Sequence, residues 1–127
     1  MDTSNLTVTL TSIDNAIENK KKAIELGEKL KRLLKDSDFK DVILGYCLED
    51  SAKDLFNILT DPSGASPYSA ELIHLKLEAI SHLKGVLGTE GNPGTIMTEA
   101  LQAPFDIARE EEYRKEVTAD YSRDGEQ

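Results

Sequence analysis

The chain has 127 residues, 39% of them hydrophobic, 31% charged and only 6% aromatic, with no Trp and a formal net charge of -9. Such a length fits one domain able to bury a core, while the acid excess excludes a uniform basic footprint for nucleic acid and the single cysteine, Cys47, excludes an internal disulfide or a multi-cysteine metal site. No apolar run reaches the roughly 18 residues that a membrane helix needs, and Met1-Asp2-Thr3-Ser4-Asn5 lacks the basic start and apolar stretch of a secretory signal, so a cytoplasmic location is expected.

Residues Met1 to Thr9 are polar, and Leu6-Thr7-Val8-Thr9-Leu10 alternates as a strand does. With no second strand to pair with, residues 1–10 are expected to form an extended arm. Such an arm is either flexible or adds to a neighbour, with Leu6 and Val8 as its interface candidates. A helix is expected from Thr11 or Ser12, where Thr11 and Asp14 form a weak capping box. Its apolar stripe runs through Ile13, Ile17 and Ile24 and continues, slightly rotated, through Leu26, Leu30, Leu33 and Leu34. Gly27 lowers helix propensity by about 1 kcal/mol relative to Ala and suits a close helix crossing.

Asp36-Ser37-Asp38 reads as a stop followed by a new N-cap. The spacing of Phe39, Val42, Ile43, Tyr46, Cys47, Leu48, Ala52, Leu55, Phe56 and Leu59 predicts helix over 39–59, with a break near Gly45. Asp61-Pro62-Ser63-Gly64 ends it. Ser66-Pro67 suits a helix start, and Leu72 to Leu87 is the most hydrophobic segment, apolar around more than half its circumference. It is the expected central helix of a bundle, closed by Gly88. After a Gly/Asn/Pro-rich loop, Thr95 is expected to cap a short helix that Pro104 ends or kinks. From Asp106 onward the chain is helix-prone but nearly without an apolar stripe, and Tyr121 to Gln127 read as disordered.

The expected fold is all-α: a helical hairpin or three- to four-helix bundle over 11–103, with an extended N-terminal arm (1–10) and a charged helical or disordered tail (104–127). Charge is uneven along it. The segment Lys20 to Lys40 holds eight Lys/Arg against four acids, leaving -13 elsewhere. That layout can steer self-association, although a charged helix face is most often simply solvated.

Chemistry-bearing motifs are sparse. His74 and His82 stand eight apart, too far for joint chelation on one helix. Glu71-Leu72-Ile73-His74 is the one Glu-x-x-His element, where a di-metal bundle needs two. No nucleophile motif surrounds Cys47, which reads as a small apolar thiol. Gly91-Asn92-Pro93-Gly94-Thr95 lacks the lysine and spacing of a phosphate loop. No catalytic, cofactor-binding or metal-binding residue is therefore assigned, no cofactor is expected, and the chain is expected to be non-enzymatic. Tyr68, at a helix start, and Tyr113, on the polar tail, are the aromatic interface candidates.

The stretch Glu25-Leu26-Gly27-Glu28-Lys29-Leu30-Lys31-Arg32-Leu33-Leu34, followed by Asp38-Phe39-Lys40-Asp41-Val42-Ile43-Leu44-Gly45-Tyr46, the Asp61-Pro62 break and Ile80-Ser81-His82-Leu83, resembles small helical proteins of tailed bacteriophages encoded among head and tail genes. The resemblance covers about Lys20 to Leu87 and brings no assigned site; the segment from Thr89 onward lies outside it. It implies a protein made in the host bacterial cytoplasm and a role as a virion or morphogenesis component, in many copies, bound to capsid, portal or tail proteins. The competing role is an early host-takeover factor that inhibits a bacterial protein, in which the acidic helical tail could act as a DNA mimic. Neither role involves a membrane or direct nucleic-acid binding.

Overall fold

A computed structural model describes residues 3–64, 68–89 and 91–125. The chain is all-α: among the described residues the only β feature is an isolated bridge between Gly88 and Pro93. Helix α1 spans Thr3–Lys35, α2 Ser37–Phe39, a π-helix Lys40–Asp50, α3 Ser51–Leu59, α4 Ala70–Leu87 and α5 Thr95–Gly125. These form two compact units, Met1–Glu28 with Thr98–Gln127 and Lys29–Met97, and both α1 and α5 contribute to each.

The first unit is an antiparallel helix pair. Gly27 of α1 faces Ala100 of α5 so closely that a Cβ on Gly27 would lie 2.3 Å from the Ala100 Cβ. Farther along, Lys20 Nζ stands 3.2 Å from Asp106 Oδ2, and Arg114 pairs with Asp14. One set of buried and half-buried positions alternates by fours and threes: Leu6, Leu10, Ile13, Ile17, Lys20, Ile24 and Gly27 on α1, and Ala100, Ala103, Ile107, Glu110, Arg114, Val117 and Tyr121 on α5, with Thr9, Ala16, Ala23 and Asp106 half-buried beside it. That alternation is the seam of a two-stranded coiled coil.

Two expectations are corrected here. Residues 3–10 are helix, not an extended arm. Leu6 and Leu10 fit the strand pattern and also the helical spacing to Ile13 and Ile17, and the presence of α5 favours the helical set. The Thr9 hydroxyl adds a bond to the Asn5 carbonyl at 2.9 Å, a turn earlier. Nor does Pro104 end α5, which continues to Gly125. The tail from Asp106 does own a stripe, built from Ile107, Val117 and Tyr121, with Glu110 and Arg114 half-buried between them.

In the second unit Leu30 and Leu34 bury the end of α1. The Asp36 carboxylate then accepts the Phe39 amide at 2.8 Å, as the cap pattern predicts. There is no break at Gly45. The segment continues through the π-helix into α3, and a Cβ at Gly45 would stand only 3.3 Å from the Lys40 carbonyl five residues back. Asp61 closes the turn by accepting the Ser63 amide at 2.9 Å. The expected start at Ser66-Pro67 falls outside the described residues. Helix α4 begins at Ala70, with the Ser69 hydroxyl accepting the Leu72 amide at 3.2 Å. It packs on α3 and on the π-helix, and Leu48 and Ile73 are buried. Gly88 ends it with φ 66° and donates to the Lys84 carbonyl at 2.8 Å. Only glycine fits there, because a Cβ would lie 2.2 Å from the Gly94 nitrogen.

Candidate interaction surfaces

The groups with reactive potential do not converge. His74 and His82 are exposed on α4. Cys47 is half-buried and lines a shallow groove with Ser51, Asp54, Leu55, Lys76 and Ile80; neither histidine lines it. Among the described residues no three His, Cys, Asp or Glu side chains gather as a metal site would require, and no helix is long and apolar enough to cross a membrane.

What the second unit offers instead is apolar surface. Helix α4 carries two stripes. One, with Ile73, Leu77 and Ile80, is turned toward α3 and the π-helix and is buried or half-buried. The other runs through Leu72, Leu75, Ala79, Leu83 and Val86; its three leucines are 40%, 62% and 42% exposed, Val86 is half-buried, and Ala79 also lines the Cys47 groove. Tyr68 joins this region: it lines the Cys47 groove, and the Lys76 ammonium sits 5.1 Å from its ring centroid. Phe56 on α3 is exposed as well, and so are Val42 and Tyr46 on the π-helix. The amphipathic α3 buries no side chain completely.

In the first unit the centre of charge is Asp106. Its side chain, 17% exposed, takes the Gln102 amide at 3.3 Å, the Lys20 ammonium at 3.2 Å and the Arg109 guanidinium at 2.5 Å. The bonds from Gln102 first, and then from Lys20, hold its carboxyl below the usual aspartate range against the opposing effect of desolvation, and the Arg109 bond adds a smaller lowering. Asp61 is likewise held low, by the Ser63 amide and hydroxyl. Tyr113, exposed, lines a groove beside this cluster with Ala16, Lys20, Arg109 and Glu110.

Of the four interface candidates, Tyr68 and Tyr113 are therefore exposed at grooves in separate units. Val8 points outward from α1, and Leu6 is half-buried on the α1 stripe. Sequence reasoning missed Asp106, because nothing local distinguishes it from the neighbouring acids; its partner Lys20 lies on a helix remote in sequence. It also passed over Leu101 and Phe105, which are exposed one turn apart on α5 on either side of Pro104. Their spacing of four was the available signal. Comparison of the chain with family models, with curated proteins and with solved structures finds no match.

Proposed function

We propose that this chain is a non-enzymatic bacteriophage structural or morphogenesis protein. In this reading it binds capsid, portal or tail components through protein-protein contacts, in several copies, in the cytoplasm of the infected bacterium and in the particle assembled there. The observation that carries the binding role is the number of large apolar side chains left in solvent on every described helix of nine residues or more, Leu75, Phe56 and Phe105 among them. Scattered exposed leucines are ordinary, but stripes at helical spacing on α4 and α5 are the form in which helices meet partners. The phage setting rests on the resemblance of Lys20 to Leu87 to small helical phage proteins.

Mass spectrometry of purified virions is the test. Stoichiometric copy number supports a virion component. Presence in precursor particles and absence from mature ones supports a scaffold or chaperone. Absence from both, with capture of a host protein from infected cells, replaces this reading with host takeover, which the net charge of -9 favours. Binding is expected to survive simultaneous alanine substitution of His74, His82 and Cys47; a large loss in a folded triple variant would restore a chemical role.

A further inference from the structure

The apolar residues between Phe39 and Leu59 obey two periods. From Leu48 onward the inward positions recur as on an α-helix: Leu48, Ser51, Ala52, Leu55, Ile58 and Leu59 are buried or half-buried. Upstream the inward set is Phe39, Ile43, Leu44, Cys47 and Leu48. A π turn steps about 82° per residue, against about 100° for an α turn. At the smaller step these five fall within roughly 120° of arc, on the side where Leu44 and Leu48 line a groove with Lys84 and Cys47 lines one with Ile80. The same residues wound as α would keep Leu44, Cys47 and Leu48 on that side but carry Phe39 and Ile43 nearly to the opposite one. There they would join Val42 and Tyr46, which are exposed already, and the four would lie within roughly 100° of arc.

We infer that Lys40–Asp50 is a register switch, wound as π when Phe39 and Ile43 are drawn inward and as α when they join Val42 and Tyr46 on the outer face. Two opposed preferences hold the segment near balance. Burial of Phe39 and Ile43 favours the wide turn. The backbone opposes it: π-helices are rare and mostly a single turn, whereas this one runs through 11 residues, with the Ser51 amide bonded to the Tyr46 carbonyl at its end. Gly45 stands where the two preferences meet. A Cβ there would come 3.3 Å from the Lys40 carbonyl, the group that a π turn sets against residue 45, while an α turn prefers Ala to Gly. Glycine therefore permits the π form and weakens the α form. Rewinding leaves α3 packed on α4 and turns the upstream end about its own axis. The chain entry then shifts by at most about 4.6 Å, one backbone diameter, and Asp36, extended between α1 and α2 at φ -73° and ψ 126°, absorbs the shift. The switch takes the outer face from two large apolar side chains to four, and it is independent of the assembly role.

The chain contains no Trp, so Phe39→Trp in the full chain is a single fluorescent reporter at a residue that moves. Acrylamide quenching of that reporter is expected to rise at least about twofold when Gly45→Ala is added, with the helical circular-dichroism signal kept. Ile43→Ser, which removes the other group that the π turn hides, gives the same rise by an independent route. Gly85→Ala, at a helical glycine of α4 with open space around it, leaves quenching unchanged. Quenching that stays at the parent level in a folded Gly45→Ala or Ile43→Ser chain overturns the switch, and so does an equal rise in Gly85→Ala. If one of the two variants unfolds, the other decides, since one disfavours the π form through its backbone and the other through its side-chain burial. Loss of helix in both overturns the switch as well, because a second register would have kept them folded.

Discussion

Gly27 and Gly85 are both helical glycines, and their environments predict opposite responses to the same change. A methyl group at Gly27 would occupy the space of the Ala100 Cβ, whereas one at Gly85 meets nothing within 4 Å. Gly27→Ala gains about 1 kcal/mol of helix propensity but forces two helix backbones apart, and overpacking of that kind costs about 1–3 kcal/mol. Gly85→Ala keeps the propensity gain of about 0.4–1 kcal/mol with no clash. Urea melts of the two variants should therefore shift in opposite directions. Asp106 supplies a pH test at the same scale. Its folded carboxyl is held below the ordinary value of 3.8, so the stability it contributes is fully present above that pH and is lost as pH falls through the lowered value. Asp106→Asn should melt lower than wild type at neutral pH, and the gap should close on acidification below about 4. A gap that stays constant with pH would assign the effect to packing.

The elements differ in how far their own sequence declares them. Caps do so well: Asp36 and Gly88 act as local chemistry predicts, because both operate within four residues of themselves. Ser69 caps α4 in the same way, three residues after the Ser66-Pro67 start that the sequence predicts. Ser69→Ala should cost about 1 kcal/mol and fray the first turn of α4, readable as faster amide exchange at Leu72. Segments with a distant partner declare themselves poorly. Leu6 to Leu10 satisfies both the strand and the helix period, and only α5 decides between them. The π-helix is invisible for a related reason, since apolar residues three and four apart fit a wider turn nearly as well as an α turn, and such helices are too rare to expect. Pro104 makes the same point from the other side. Local rules stop a helix there, yet α5 runs through, with Ala100 and Ala103 half-buried or buried on the near side of the proline and Ile107 on the far side. Pro104→Ala restores a backbone donor at an exposed position and should raise stability by about 1–3 kcal/mol, measured by thermal melting.

For the molecule as a whole, the all-α class follows from composition and spacing, and its division into units does not. The expected arm and the expected tail are the polar ends of the chain, each with too thin an apolar stripe to fold by itself; in the structure they meet in the first unit. In proteins most helical stability comes from tertiary packing of an apolar face, and the stripe of Leu6, Leu10, Ile13 and Ile17 has α5 beside it as its cover. Deleting residues 104–127 should therefore remove more helix than the deleted residues themselves hold. Circular dichroism should show that excess loss, and hydrogen exchange should locate it. Amides from Leu6 to Ile17 become fast, whereas those around Leu48 and Ile73, buried in the second unit, keep their protection. If the α1 amides stayed protected in the shortened chain, α5 would not be what holds that half of α1. If protection were lost at Leu48 and Ile73 as well, the two units would be one cooperative body, and the polar ends of the chain would be as necessary to its fold as the apolar middle.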